Sequence, residues 1–355
     1  MIQVGPAHAS GGIADVMRAI DEWAAAKGLS ALVINTSCDG SFAKRLVVGV
    51  LGIARAVVRI AGQPRALVHV HSASYGSFLR KSVVVLGATA LGRPVVLHIH
   101  GAEFSLFTQN GSALRRACIS LVLKRAGLVL VLNEDTRRLL SRLQPRADVR
   151  ILANPATMVC GVAADLRSRQ ILFLGRLEHR KGVDVLMDAI RMLQVDGVDA
   201  DFVLAGDGDI DAVRLTVSAL PDPTRVQVPG WLDSGRVHEL LHASSIFCLP
   251  SRHEGLPMAL LQAMGHGLAC VVTPVGGMGE VIAGGVNGIL IPEGAPDALA
   301  GALADLLGSR ELREHLGQNA FASIQRDYIP EVVMARLEQT YQAALARKGW
   351  DAAIP

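Results

Sequence analysis

Short apolar runs alternate with amphipathic stretches along nearly the whole chain. The apolar runs predict buried strands, and stretches with apolar positions every three to four residues predict helices. Strands that are separated by helices are typical of parallel sheets built from βαβ units. The predicted strands cover residues 31–35, 67–71, 95–100, 128–132, 170–174, 201–205, 226–228, 246–249 and 269–273.

The pattern is interrupted once, near Ala153-Asn154-Pro155, and starts again with the strand at Gln170. Proline disfavours the helical conformation in the residue before it, so this point is a natural hinge. The sequence therefore predicts an α/β protein of two tandem Rossmann-like domains facing across a cleft, with residues 1–154 and 155–334 as the domains. Ligands of such sheets bind beyond the carboxyl ends of the strands.

Composition supports a folded protein that remains outside the bilayer. Half of the 355 residues are hydrophobic and 19% are charged, which is typical of a packed α/β protein. Charges interrupt every apolar run before the roughly 18 residues needed to span a membrane, and the N-terminus lacks a signal-peptide pattern. Five cysteines without a CxxC pair argue against a disulfide framework or a structural zinc site. We expect a cytoplasmic protein, peripheral on the inner face of the membrane if it binds lipid.

The net charge of +3 conceals two halves of opposite sign. Residues 1–150 contain nineteen Lys and Arg against eight Asp and Glu, a balance of +11, and the other 205 residues contain sixteen against twenty-four, a balance of −8. A basic half favours lipid headgroups, diphosphates or nucleic acid as partners. The aromatic content is only 4%, and no recognition-helix pattern is present, so nucleic acid is not expected.

A basic amphipathic helix is predicted for residues 42–62 of this half. At 100° per residue its four cations fall within an arc of about 100°, beside a broad apolar face; they are Lys44, Arg45, Arg55 and Arg59. Residues 114–125 repeat the theme with Arg115, Arg116, Lys124 and Arg125. Such helices can lie on an anionic membrane, although an ordinary surface helix packed on its sheet explains the same pattern.

The segment 250–280 carries the richest candidate chemistry. In the loop Glu254-Gly255-Leu256-Pro257, backbone amides can face a phosphate, because Pro257 suits the first turn of a helix. Glu254 can accept hydrogen bonds from sugar hydroxyls. Gln262 follows eight residues later, about two helical turns, so we expect it on the same face as Glu254. The pattern predicts a nucleotide-sugar site.

A second motif, GRLEHRKG at 175–182, follows the strand 170–174. Arg176 and Lys181 can hold a diphosphate from two sides. A solvated basic turn is the competing interpretation. The presence of the 254–262 region in the same half favours the diphosphate clamp.

Weaker candidates lie on three other loops. Gly11 and Gly12 permit close backbone approach to a ligand, or form a plain tight turn. His98 and His100 alternate on one strand and so face one side. No third metal ligand is evident at suitable spacing, so we predict a polar contact for His100 and a packed His98. The sequence Asp207-Gly208-Asp209 looks like a metal-binding DxD, but we interpret it as a strand-to-helix turn.

Taken in order, these blocks resemble glycosyltransferase family 4, the retaining enzymes of GT-B fold. The similarity spans nearly the whole chain and is most specific in GRLEHRKG, AGDGD, PSRHEGLPMALLQAMGHGLACVVTPVGGMGEVI and NGILI. It implies that a final helix, about 335–355, packs back on the first domain. The implied catalytic residues are Glu254, Arg176, Lys181 and His100. The implied donor-binding residues are Gly11, Gly12, Arg176, Lys181, Glu254, Gly255, Leu256 and Gln262.

One position departs from the family, since Gln262 stands where a second glutamate binds the nucleotide ribose. An amide can accept a hydrogen bond but carries no charge. The resemblance implies hexosyl transfer from a nucleotide-diphosphate sugar to a glycan or lipid-linked acceptor, without metal or other cofactor. Two alternatives stay open. One is a nucleotide-sugar-binding protein with weak turnover, and the other is an NAD(P)-dependent oxidoreductase, which lacks the expected GxGxxG signature.

Overall fold

The computed structural model describes residues 1–7, 11–38, 40–157 and 164–349. The chain divides into two compact units. The first contains Met1–Pro155 together with the segment from Pro330 onward, and the second is Ala156–Ile329. Among the described residues, no helix combines the length and the apolar character needed to cross a membrane.

The first unit contains a six-stranded parallel sheet in the order β2-β1-β3-β4-β5-β6. Its strands are β1 (Ile2–Gly5), β2 (Leu32–Asn35), β3 (Val68–Ser72), β4 (Val95–Ile99), β5 (Gly127–Val131) and β6 (Asp148–Ile151). Its helices are α1 (Gly12–Ala26), α2 (Phe42–Ala61), α3 (Gly76–Ala90), α4 (Phe104–Gln109), α5 (Ala113–Ala126), α6 (Glu134–Leu143) and, at the C-terminus, α14 (Pro330–Ala346).

Helices cover the sheet of the first unit, so its central strands are buried along their length. All residues of β3 and β4 are buried, as expected for parallel strands with helices on both faces. The helix α14 packs against α1, β4 and β5 of this unit. Its Tyr341 is buried, and the Tyr341 hydroxyl lies 2.7 Å from Nδ1 of His69 on β3.

The second unit repeats this architecture, with the strand order β12-β11-β10-β7-β8-β9. Its strands are β7 (Gln170–Leu174), β8 (Asp201–Ala205), β9 (Val226–Gly230), β10 (Ile246–Leu249), β11 (Ala269–Val272) and β12 (Ile289–Leu290). Its helices are α7 (Val183–Val195), α8 (Ile210–Ser218), α9 (Ser234–Ala243), α10 (Met258–Gly265), α11 (Met278–Val281), α12 (Pro296–Gly308) and α13 (Arg310–Asp327). Short 3₁₀ turns occupy His179–Lys181 and Pro223–Arg225.

The predicted fold class is confirmed: two parallel six-stranded sheets, each with its helices, form Rossmann-like units. The nine predicted strands all form, within two residues of their expected ends. The sequence analysis gave no bounds for β1, β6 and β12. The last two are edge strands. The strand β6 contains two charged residues and β12 has only two residues, so neither gives the continuous apolar run of a central strand.

Candidate functional site

In the second unit, the predicted donor residues lie on loops beyond the carboxyl ends of neighbouring strands. The strand β7 lies between β10 and β8, so the loops that follow these strands are adjacent. Lys181 ends the 3₁₀ turn after β7, and Gly182 then adopts a left-handed conformation with φ +71°. A Cβ on Gly182 would lie 1.9 Å from the carbonyl oxygen of Pro250. Glycine is therefore what lets the loop after β7 approach the loop after β10.

That approach joins Lys181 to Glu254. The Lys181 ammonium donates to Oε1 of Glu254 at 2.5 Å, and only 12% and 6% of the two side chains are exposed. The Ser251 hydroxyl donates to the same carboxylate oxygen at 2.9 Å. A buried carboxylate is stable only with such partners, because burial without them disfavours its charged form. Lys181 therefore balances the charge of Glu254 and orients its carboxylate.

The Gly-rich loop after β11 supports the Glu254 loop from the other side. Gly276 has φ +56°, and a Cβ there would lie 2.0 Å from the carbonyl oxygen of Glu254. The backbone amide of Gly277 donates to the carbonyl oxygen of Gly255 at 2.6 Å. Gly255 and Leu256 are both buried next to Glu254. The backbone of this loop is thus held by direct contact with the next loop of the sheet.

Arg176 occupies the more open part of the site. It is 56% exposed, and its guanidinium lies 3.3 Å from Oε2 of Glu178 and 3.9 Å from Oδ2 of Asp207. Its neighbour Leu177 pairs with the loop after β8, donating its amide to Asp207 and accepting from the amide of Asp209. The predicted strand-to-helix turn at 207–209 is confirmed, and Asp209 lies at the N-terminal boundary of α8. The turn fixes the position of the Arg176 backbone.

Two further arginines, not predicted as site residues, hold these loops together. Arg180 donates to the carbonyl of His253 at 3.1 Å and to Glu178 at 2.7 Å. Arg252 donates to the carbonyl of His179 and makes a two-point contact with the Asp184 carboxylate, all at 2.8 Å. Its hydrogen bond with Asp184 raises the pKa of Arg252, so this guanidinium stays charged. In the sequence, each of these arginines stands next to or near a predicted site residue, in Arg180-Lys181 and in Ser251-Arg252-His253-Glu254.

The prediction that Glu254 and Gln262 lie on the same helix face is wrong. Helix α10 begins at Met258, with Pro257 as its N-cap residue, so Glu254 lies in the preceding loop and shares no helix face with Gln262. The half-buried Gln262 has its amide nitrogen 3.4 Å from the hydroxyl of Thr157. The Gly-Leu-Pro sequence delays the helix, because the residue before a proline avoids the helical region.

The remaining predicted residues belong to the first unit. Gly11 precedes α1 with φ +127°, a conformation that favours glycine, and Gly12 is the first residue of the helix. His100 follows β4 directly, so it lies at the same carboxyl edge of the sheet as the loop after β1. Burial and the nearby Lys81 ammonium lower the pKa of His100 to about 3, so its ring is neutral at neutral pH.

His100 ends a row of four histidines that the sequence analysis did not recognise. His98 is fully buried as predicted, and its ring lies 3.9 Å from that of His100, centre to centre. The absence of a third nearby histidine, inferred from spacing, is wrong, because His69 and His71 on β3 lie beside them. Strand pairing of His71 with His98 brings them together. The sequence feature that could have revealed this row is the alternation Val68-His69-Val70-His71 in β3.

Two family profiles match this chain. The profile of the glycosyl transferase 4-like domain matches residues 11–155, and that of the glycosyl transferases group 1 matches residues 162–323. Each match lies mainly in one of the two structural units. Together they cover most of the chain.

The chain is also similar to individual glycosyltransferases. The chain is 28% identical to the alpha-D-kanosaminyltransferase of Streptomyces kanamyceticus over 304 residues, covering 79% of this chain and 77% of that protein. It is 35% identical to the amylovoran biosynthesis glycosyltransferase AmsK of Erwinia amylovora over 144 residues, covering 39% of this chain and 35% of AmsK. It spans less than half the length of six further curated relatives.

Among solved structures, Anabaena Alr3699/HepE in complex with UDP and glucose superposes with a TM-score of 0.76. The match covers 96% of this chain and 99% of that one at 17% identity. At that identity the superposition establishes the fold.

Proposed function

We propose that this chain transfers a hexosyl group with retention of configuration. The premise is that it belongs to the glycosyltransferases of GT-B fold and takes a nucleotide-sugar donor. The observation that carries the proposal is the buried Lys181–Glu254 pair beside the exposed Arg176. Family membership makes the oxidoreductase alternative wrong. We further propose a glycan or lipid-linked acceptor and a role in cell-surface polysaccharide or glycolipid assembly, supported by the similarity to AmsK.

In this proposal Arg176 and Lys181 stabilise the diphosphate as it leaves. The bond from the sugar C1 to the phosphate oxygen breaks, and negative charge develops on that oxygen. Two fixed cations lower the energy of this charge without reorganising in the transition state. The exposed Arg176 guanidinium can bind two phosphate oxygens at once, while Lys181 acts as a point charge. Because these cations neutralise the leaving group, we propose that the transfer step uses no metal ion, which equal turnover with and without added Mg²⁺ or Mn²⁺ would test.

Glu254 is proposed to hold the donor sugar. Its hydrogen bonds from Lys181 and Ser251 both fall on Oε1. No described residue donates a hydrogen bond to Oε2, so that oxygen can accept from a sugar hydroxyl. For same-face transfer, the acceptor hydroxyl forms the new bond to C1 while its proton passes to the departing phosphate oxygen. In the first unit, neutral His100 and the backbone at Gly11 and Gly12 stay predictions for substrate contact.

The function is tested by thermal-shift screening against nucleotide sugars, followed by turnover of each binder with lipid-linked and glycan acceptors. The expected result is one stabilising donor that is consumed only with an acceptor. A nucleotide-sugar-binding protein with weak turnover is the second candidate, favoured by Gln262 in place of a carboxylate. Binding without transfer to any acceptor would favour that candidate over the enzyme.

Gln262→Glu is expected to lower the Kd of the donor nucleotide by about fivefold, because a carboxylate makes stronger hydrogen bonds to ribose hydroxyls than an amide does. The measurement is the Kd of the nucleoside diphosphate by calorimetry, together with the donor KM. The control is Gln227→Glu, which adds the same charge at an exposed position of β9. An unchanged Kd in Gln262→Glu would remove Gln262 from the donor site.

We also propose that the first unit contacts an anionic membrane on its cytoplasmic side. Along α2, apolar side chains that should pack against the protein are instead 45–61% exposed: Leu46, Val47, Val50 and Leu51. The four α2 cations predicted from the sequence are exposed on the same helix. An exposed apolar face with adjacent cations is typical of helices that lie in the headgroup layer.

Sedimentation with vesicles is expected to show binding to anionic lipid that weakens as salt rises, since the attraction is screened. Val50→Asp should abolish this binding. Val195→Asp, at a 71% exposed position on α7 of the other unit, serves as the control. Equal binding to neutral vesicles, or no binding to either kind, would contradict the proposal.

A further inference from the structure

A second group of histidines lies in the second unit. His238 and His242 are four residues apart on α9, so they share one face of that helix. His266 caps the C-terminus of α10. The ligand nitrogens of the three rings all lie within 4.8 Å of one another. Two histidines at i and i+4 with a third from another element is a ligand spacing that zinc sites use.

The orientation of the rings distinguishes this group from the histidines of the first unit. Imidazole lone pairs lie in the ring plane, so stacked rings do not direct their lone pairs at one point. His69 and His98 are stacked, with an interplanar angle of 14°. The rings of His238, His242 and His266 are instead at 70–87° to one another. Nearly perpendicular rings can direct three nitrogens at a common centre.

The distances fit a tetrahedral ion. Zinc binds imidazole nitrogen at about 2.0–2.1 Å, which places two bound ring centres about 5 Å apart and their nitrogens about 3.4 Å apart. The three ring centres are 4.7, 5.0 and 5.5 Å apart. Nε2 of His266 lies 3.1 Å from Nδ1 of His238. These separations are close to those expected for three imidazoles around one tetrahedral ion.

The protonation of His266 also suits a ligand. Its Nδ1 lies 2.8 Å from the carbonyl oxygen of Gln262, which can only accept, so Nδ1 carries the hydrogen and Nε2 presents a lone pair. A carbonyl that holds the distal N–H is the usual support of a metal-bound histidine. His238 and His242 are half-buried, so an ion and a fourth, water ligand can reach them.

We propose that His238, His242 and His266 bind one Zn²⁺ ion, with solvent as the fourth ligand, and that this ion ties α9 to the C-terminal end of α10. The carbonyl of Gln262 then lies in the second layer of the site, so the metal stiffens the helix that carries Gln262. The site is separate from Arg176, Lys181 and Glu254, and its role is structural. The proposal departs from the expectation, based on cysteine spacing, that there is no structural zinc site, because its ligands are histidines from two helices.

The test is calorimetric titration of untagged, EDTA-treated chain with Zn²⁺, together with Co²⁺ titration followed by visible absorption. We expect one equivalent bound, the strong visible bands of tetrahedral Co²⁺, and a rise in melting temperature with free Zn²⁺. His238→Gln and His242→Gln should each weaken binding at least about 100-fold. Both positions are half-buried, so these variants are chosen over the fully buried His266.

His315→Gln, at an exposed histidine on α13 of the same unit, is the matched control and should bind as the parent chain does. Circular dichroism of each apo variant establishes that it is folded. Failure to bind a stoichiometric ion would overturn the proposal. So would unchanged affinity in His238→Gln and His242→Gln, since the ion would then sit elsewhere, for example at His69, His71 and His98.

Discussion

Lys181→Ala is expected to lower kcat/KM by about 10²–10³, the usual cost of removing one preorganised group that stabilises developing negative charge. The lysine has two tasks in the proposed site. It neutralises the departing diphosphate, and it donates to Glu254 at 2.5 Å. With only 6% of the Glu254 side chain exposed, loss of its partner leaves a buried carboxylate without a balancing charge. Steady-state kinetics with a saturating acceptor measure the effect.

The two tasks are separated by a double-mutant cycle with Glu254→Gln. If Lys181 acts only by orienting Glu254, then Lys181→Ala adds nothing in the Glu254→Gln background. If it also contacts the diphosphate, a further loss of about tenfold or more remains. Arg191→Ala, an exposed cation on α7 outside the site, is the control and should change kcat/KM by less than about twofold. Near-normal kcat/KM in Lys181→Ala would refute the donor-site assignment.

Much of the candidate site follows from sequence because its parts are short, contiguous motifs at strand ends. Once β7 and β10 are recognised as parallel strands, GRLEHRKG and SRHEGLP fall at the same sheet edge. The pairing of Lys181 with Glu254 joins residues 73 positions apart, however. It depends on the close approach permitted by Gly182. Local pattern gives each loop its place, whereas the contact between two loops depends on tertiary packing.

The errors have the same origin. The prediction of a shared face for Glu254 and Gln262 counted helical turns across 254–257, whereas the Pro257 ring and the contact with Gly276 hold these residues in a loop. The search for metal ligands by spacing along one strand missed His69 and His71, which strand pairing brings beside His98. It also missed His238 and His266, which come from different helices. Sequence spacing describes neighbours within one element, and each of these groups is assembled from two.

Gly276→Ala is expected to destabilise the second unit by about 3 kcal/mol or more and to reduce donor turnover about 100-fold. The new Cβ would lie 2.0 Å from the carbonyl oxygen of Glu254, and neither atom can rotate away, because the backbone fixes the position of both. The loop after β10 must therefore shift, and a displacement near 1 Å in a substrate-positioning group costs about this much rate. Urea unfolding gives the stability, and kcat/KM for the donor gives the functional loss.

Gly285→Ala separates the collision from the backbone conformation. Gly285 also has positive φ, +78° against +56° for Gly276, but a Cβ there meets no heavy atom of the described chain within 4 Å. We expect it to cost about 1–2 kcal/mol, the penalty of a left-handed conformation for a side-chain-bearing residue, with unchanged donor KM. If the two variants lose equal stability and turnover, conformational strain alone explains Gly276, and its packing against Glu254 does not position the donor. A different outcome is that Gly276→Ala loses turnover while keeping a stability close to that of Gly285→Ala. In that outcome the loop has shifted without unfolding the sheet, and the loss of turnover comes from the displaced Glu254.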